Sequence, residues 1–124
     1  METLPFLDLP AAYRELRADL DPSHAPDALA LRQFAALGEL TLELVEAAAR
    51  DGALAFWVAD DYLRATALAL LAWAWARIER TLAAEGADRA RQWLPAARAM
   101  RHWVLPEFDM RASIIRARCT ASEA

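Results

Sequence analysis

The sequence contains no Lys and no Asn, so all 14 of its basic residues are Arg, a usage that fits GC-rich coding. Its one Cys, Cys119, excludes an internal disulfide and fits a reducing cytoplasm. With only three Val, three Ile and three Gly, the chain is short of the residues that favour strands and tight turns. That shortage argues against any substantial sheet. The longest uncharged apolar stretch in its middle, 65–76, has 12 residues. About 20 are needed to cross a bilayer, so no membrane association is expected. The first residues include Glu2 and Asp8 and no basic side chain, unlike a secretory signal. A net charge of −4 gives no reason to expect nucleic acid as a partner. No Gly-rich phosphate loop, zinc-ligand spacing or nucleophile elbow is present, and no cofactor is implied.

What the chain has is Ala, 31 of them, and 19 Leu. Its 124 residues make one domain, which buries roughly two-thirds of its unfolded surface. The spacing predicts an all-α bundle of four main helices with a short fifth at the C-terminal end. A first helix over about 10–20 starts at Pro10 and carries Tyr13, Leu16 and Leu20 on one face. Pro22, Ser23 and Pro26 break it. A second runs over about 27–50 with Phe34, Leu37, Leu40, Leu44 and Ala48 inward, and Gly52 is expected to supply its left-handed stop.

The third helix, from 53 or 60 to 84, carries three apolar stripes. Leu68, Leu71, Trp75, Ile78 and Leu82 form a heavy one; Ala65, Ala69, Ala72 and Ala76 form a small one; Leu63, Leu70 and Trp73 fill a third. A helix apolar all round is expected to be covered on every side, either at the centre of the bundle or against another subunit. The Ala stripe suits close approach of a neighbouring helix and is therefore a candidate subunit interface. Gly86 ends this helix and Asp88 is a candidate cap for the fourth, over about 89–104. Trp93, Ala97, Met100, Trp103 and Val104 would face inward there. Pro95 should kink it, Pro106 breaks it, and a basic segment over 108–119 forms the fifth.

Charge is uneven. Residues 1–63 carry 12 acidic side chains and four Arg, whereas 89–124 carry seven Arg against three acids. One reading is an anion site built on Arg98 and Arg101, because guanidinium forks suit phosphate and carboxylate. The other is a basic helix balancing an acidic one. Trp73, Trp93 and Trp103 admit a similar pair of readings, as a pocket for a flat ligand or as core and interface. Neither His24 nor His102 follows a Glu by three residues, which removes a di-iron reading, and neither is given a special role. Asp60 and Asp61 lack a third metal ligand nearby and read as a helix cap. No catalytic residue and no metal ligand is assigned.

The stretch Ala59-Asp60-Asp61-Tyr62-Leu63-Arg64, then Ala72-Trp73-Ala74-Trp75-Ala76-Arg77, then Ala97-Arg98-Ala99-Met100-Arg101-His102-Trp103-Val104-Leu105-Pro106-Glu107 carries a resemblance. It resembles the C-terminal helical domain of acyl-CoA dehydrogenases of the methylmercaptopropionyl-CoA type, over residues 59–107. The resemblance implies a helical domain that contributes to subunit assembly and lies near the CoA end of the substrate. The flavin-binding β domain and catalytic carboxylate of that family have no counterpart in these 124 residues, so no catalytic residue is carried over. The resulting expectation is a non-catalytic assembly module, forming a homo-oligomer or docking on a dehydrogenase-type flavoprotein subunit. The alternative is a bundle that binds a CoA-type or other anionic, aromatic ligand.

Overall fold

The computed structural model describes residues 9–121, and side chains from residue 11 onward. It is an all-α bundle: α1 (Leu9–Ala18), α2 (Ala25–Arg50), α3 (Leu54–Glu85), α4 (Ala87–Ala99), a π-helical segment (Met100–Val104) and α5 (Glu107–Ala121). The described residues contain no strand. The last three segments run on as one bent arm, and no described helix is long and apolar enough to cross a membrane.

α2 and α3 form the central hairpin. Arg80 near the end of α3 lies 3.4 Å from Asp27 at the start of α2, so the helices run antiparallel. Asp51, with φ −133° and ψ 96°, turns the chain between them while its N–H bonds Ala47 O. Gly52 is therefore not the left-handed stop expected of it, since among the described residues only Gly86 has a positive φ. An extended residue at the helix end performs the same reversal. At Gly86, φ +126° and ψ 163° bring a near-immediate restart of helix, conditions only a residue without Cβ meets easily.

α5 lies along both central helices. Arg111 reaches Asp61 on α3 at 2.8 Å, and Arg116 lies 3.9 Å from Glu43 on α2. The core between these three helices contains Phe34, Leu37, Leu40, Phe108 and Ile115, all 2% exposed or less. α1 packs against α2, with the Tyr13 and Phe34 ring centres 5.6 Å apart and their planes tilted by 32°.

The inward face of α3 is the stripe of small residues. Ala65, Ala69, Ala72 and Ala76 are at most 2% exposed and belong to the common core. Their expected use as a subunit interface is corrected: the chain's own helices occupy that surface. Small side chains at the centre let neighbouring backbones come close, whereas Leu there would hold them apart. Of the heavy stripe, only Leu68 and Leu82 are buried, while Leu71 and Ile78 are 40% exposed. Burial on every side, expected from the composition, does not hold.

The bent arm also departs from the expected pattern. Pro95 sits inside α4, and beyond it the Leu105 N–H bonds Met100 O at 2.8 Å, an i to i−5 bond. A π turn inserts one residue into the helical register and rotates the residues beyond it. Leu105, 3% exposed, thereby takes the inward place expected of Val104, which is 37% exposed. Asp88 does not cap α4; it sits in the first turn and pairs with Arg91.

Candidate functional site

The five ligand candidates do not converge. Trp73 is half-buried on α3 under Arg77, whose guanidinium carbon lies 5.0 Å from its ring centre. Trp93 is 41% exposed beside Glu79, Leu82 and Ala97, and Trp103 is 84% exposed on the π segment. No described cleft is lined by two of these indoles. The inward place expected of Trp103 is corrected: the π turn sets it outside. Arg98 is exposed and lines none of the described clefts.

Most of the C-terminal Arg set is engaged within the chain. Arg89 pairs with Glu85, Arg91 with Asp88, Arg101 with Glu79, Arg111 with Asp61 and Arg116 with Glu43. Arg118 lies over Trp57. Its hydrogen bond to Asp61 holds the Arg111 guanidinium even more firmly protonated than usual. A basic helix set against acidic ones accounts for much of the charge asymmetry. Asp60 and Asp61 lie in the second turn of α3 and divide their work: Asp60 pairs with Arg64 one turn on, Asp61 with Arg111. Neither caps the helix.

At the start of α2, His24 has a definite place. Its Nδ1 lies 2.8 Å from Asp27 Oδ1, and the Asp21 N–H donates to Asp27 Oδ2 at 2.8 Å. Asp27 is wholly buried, and Arg80 also reaches it. The Asp21 carboxylate accepts from the Ser23 hydroxyl and N–H, which together hold its pKa below the ordinary value. This network fixes the α1–α2 loop onto α3. Among the described residues, no group of three His, Cys, Asp or Glu is placed to hold a metal.

Two features remain. The first is the outer face of α3. Phe56, Leu63 and Leu70 repeat every seven residues, 90%, 67% and 39% exposed. Between them fall Asp60 and Ala67, and the series continues to Ala74, Arg77 and Thr81. These are the alternating d and a positions of a heptad seam, with Phe56, Leu63, Leu70 and Arg77 at d. Between Asp60 and Arg77 the seam holds no charge.

The second is a cleft of about 350 Å³ between α2 and the corner where the π segment meets α5. Leu29, Arg32, Gln33 and Ala36 form one wall; Arg101, Leu105, Pro106, Phe108 and Asp109 form the other. Gln33 is 6% exposed, and its Nε2 donates to Leu105 O at 3.3 Å. Its Oε1 is buried with no hydrogen-bond partner. Because a carbonyl only accepts, Leu105 fixes the amide nitrogen toward itself and leaves the oxygen as the free atom. Of the sequence candidates only Arg101 reaches this cleft. Gln33 is absent from the sequence-based candidates, although a Gln at i+3 from Ala30 and i−4 from Leu37, on the apolar face of α2, is the signal that marks it. No protein-family model matches the chain, and no curated protein or solved structure is found to be similar to it.

Proposed function

We propose that this protein is a non-catalytic helical assembly module that pairs with a second copy of itself through the outer face of α3, antiparallel. The observation that carries the reading is the exposed seam from Phe56 to Thr81. An antiparallel pair sets each d position against an a position of its partner. Centred between Leu68 and Ala69, that register puts Leu63 beside the partner's Ala74 and Leu70 beside the partner's Ala67. Large side chains then meet small ones in every inner layer. A parallel pair would stack Leu on Leu and leave Ala facing Ala across a gap.

Charge favours the same register. Asp60 falls beside the partner's Arg77 at both ends of the uncharged stretch. Asp60 is 71% and Arg77 50% exposed, so each keeps surface for a contact beyond its own intrachain partner. The resemblance of 59–107 to a dehydrogenase end domain that contributes to subunit assembly is in keeping with this use.

The test is cross-linking of two single variants, Leu63→Cys and Ala74→Cys. In this register the two copies of residue 63 lie about 16 Å apart along the helices, at 1.5 Å per residue. Neither variant alone should form a disulfide-linked dimer, and an oxidised mixture should. A cross-link in each variant alone, or none in the mixture, overturns the reading.

A further inference from the structure

We infer that the cleft between α2 and the π–α5 corner binds a small zwitterion with an apolar side chain, that is, a free α-amino acid of the leucine or phenylalanine kind. The inference is independent of self-association. Its first support is the Gln33 carboxamide, buried and fixed by Leu105 O with its oxygen unsatisfied. A buried acceptor left bare forfeits the hydrogen bond it would make in water, so the site favours an occupant that donates one.

The second support is the distribution of charge around that oxygen. Arg101 is occupied by Glu79 at 3.1 Å. Arg32 on the α2 wall and Asp109 on the α5 wall have no ion-pair partner among the described residues, and they do not pair with each other. Arg32 and Asp109, both exposed and unpaired, thus line the same cleft as Gln33, whose amide oxygen is left without a partner. A simple anion would satisfy Arg32 and be repelled by Asp109; a simple cation would do the reverse.

A zwitterion meets all three. Its carboxylate takes the fork of Arg32, and its ammonium has donors for both Gln33 Oε1 and Asp109. Leu29, Ala36, Leu105 and Phe108 supply an apolar floor for the side chain. The volume, about 350 Å³, lies at the small end of ligand clefts, which suits one amino acid better than a nucleotide or an acyl-CoA. The π turn ends at this corner, and the carbonyl of Leu105, the residue that closes it, is the one that holds the Gln33 amide.

The experiment is a titration of the ¹⁵N-labelled full chain with L-phenylalanine and with L-leucine, tracked by amide shifts over 29–36 and 105–109. Saturable shifts in both segments are expected below about 10 mM. 3-Phenylpropionate, lacking the ammonium, and 2-phenylethylamine, lacking the carboxylate, should each bind at least about tenfold more weakly. Arg32→Ala and Asp109→Asn change residues outside the core and should each weaken L-phenylalanine about tenfold, while Arg98→Ala should not. Absence of saturation with both amino acids overturns the proposal. So does equal binding of either singly charged probe, or unchanged affinity in both cleft variants.

Discussion

The Tyr62 hydroxyl donates to Thr41 Oγ1 at 2.6 Å, and the direction of that bond is fixed by a second one. Thr41 has a single hydroxyl proton, and it goes to Leu37 O at 2.7 Å, so the proton between Thr41 and Tyr62 belongs to Tyr62. This relay is a polar bond between the two helices of the central hairpin, in a half-buried setting.

Tyr62→Phe leaves the Thr41 oxygen with one acceptor site empty and should lower stability by about 0.5–1.5 kcal/mol. Urea denaturation read by circular dichroism measures it. A change within error would mean that solvent takes over the bond.

The small-residue face of α3 sets a second expectation. Ala72→Leu forces bulk between helices in close contact and should cost about 1–3 kcal/mol. Leu63→Ala, on the outer face, should leave the stability of the single chain within about 0.5 kcal/mol. Thermal melts at low protein concentration distinguish the two. Equal losses would mean that the inner and outer faces have been assigned wrongly.

How far the sequence reached can be judged on this helix. The end of α3, the break at Gly86 and the all-α class were legible because local signals, helical spacing and a flexible residue, decide them. The start of α3, open between 53 and 60 in the sequence, needed the structure, which sets it at Leu54. Which of three apolar stripes faces inward was not legible. Size, not hydrophobicity, chose the Ala stripe, and that choice depends on how closely α2 and α5 approach. The π turn after Pro95 moved Trp103 outward and Leu105 inward, a one-residue shift that periodicity does not register. Asp61 and Arg111 stand 50 residues apart, so their pairing needed the fold. Gln33 did leave a trace, a polar residue on an apolar face, but only the position of Leu105 shows which of its atoms is left bare.

Alkaline pH probes the groove under α1. Burial, and then the neighbouring Tyr62, raise the Tyr13 phenol above its ordinary pKa of 10.0. The folded chain then keeps a proton that the unfolded chain releases. Stability should be insensitive to this group below pH 10 and fall as pH rises toward the folded value. Tyr13→Phe should remove that part of the slope. It should cost little at neutral pH, because the Tyr13 hydroxyl is buried without a hydrogen-bond partner. Chemical denaturation at about pH 7 and across about pH 9.5–11 checks both; an unchanged slope in the variant would contradict the assignment.

The central claim is that the outer face of α3 is covered by a second copy of this chain. Sedimentation equilibrium of the wild type and of Leu70→Glu tests it most directly. Leu70 is only partly exposed in the single chain, and Glu at that position reaches water there, so the fold should persist by circular dichroism. In the pair, each Glu would be buried beside the partner's Ala67 without a counter-charge, and two such sites should weaken association by about 100-fold or more. A concentration-dependent dimer in the wild type and a folded monomer in the variant is the predicted result. A wild-type chain that sediments as a monomer at every concentration, or a variant that dimerises as well as the wild type, would contradict it.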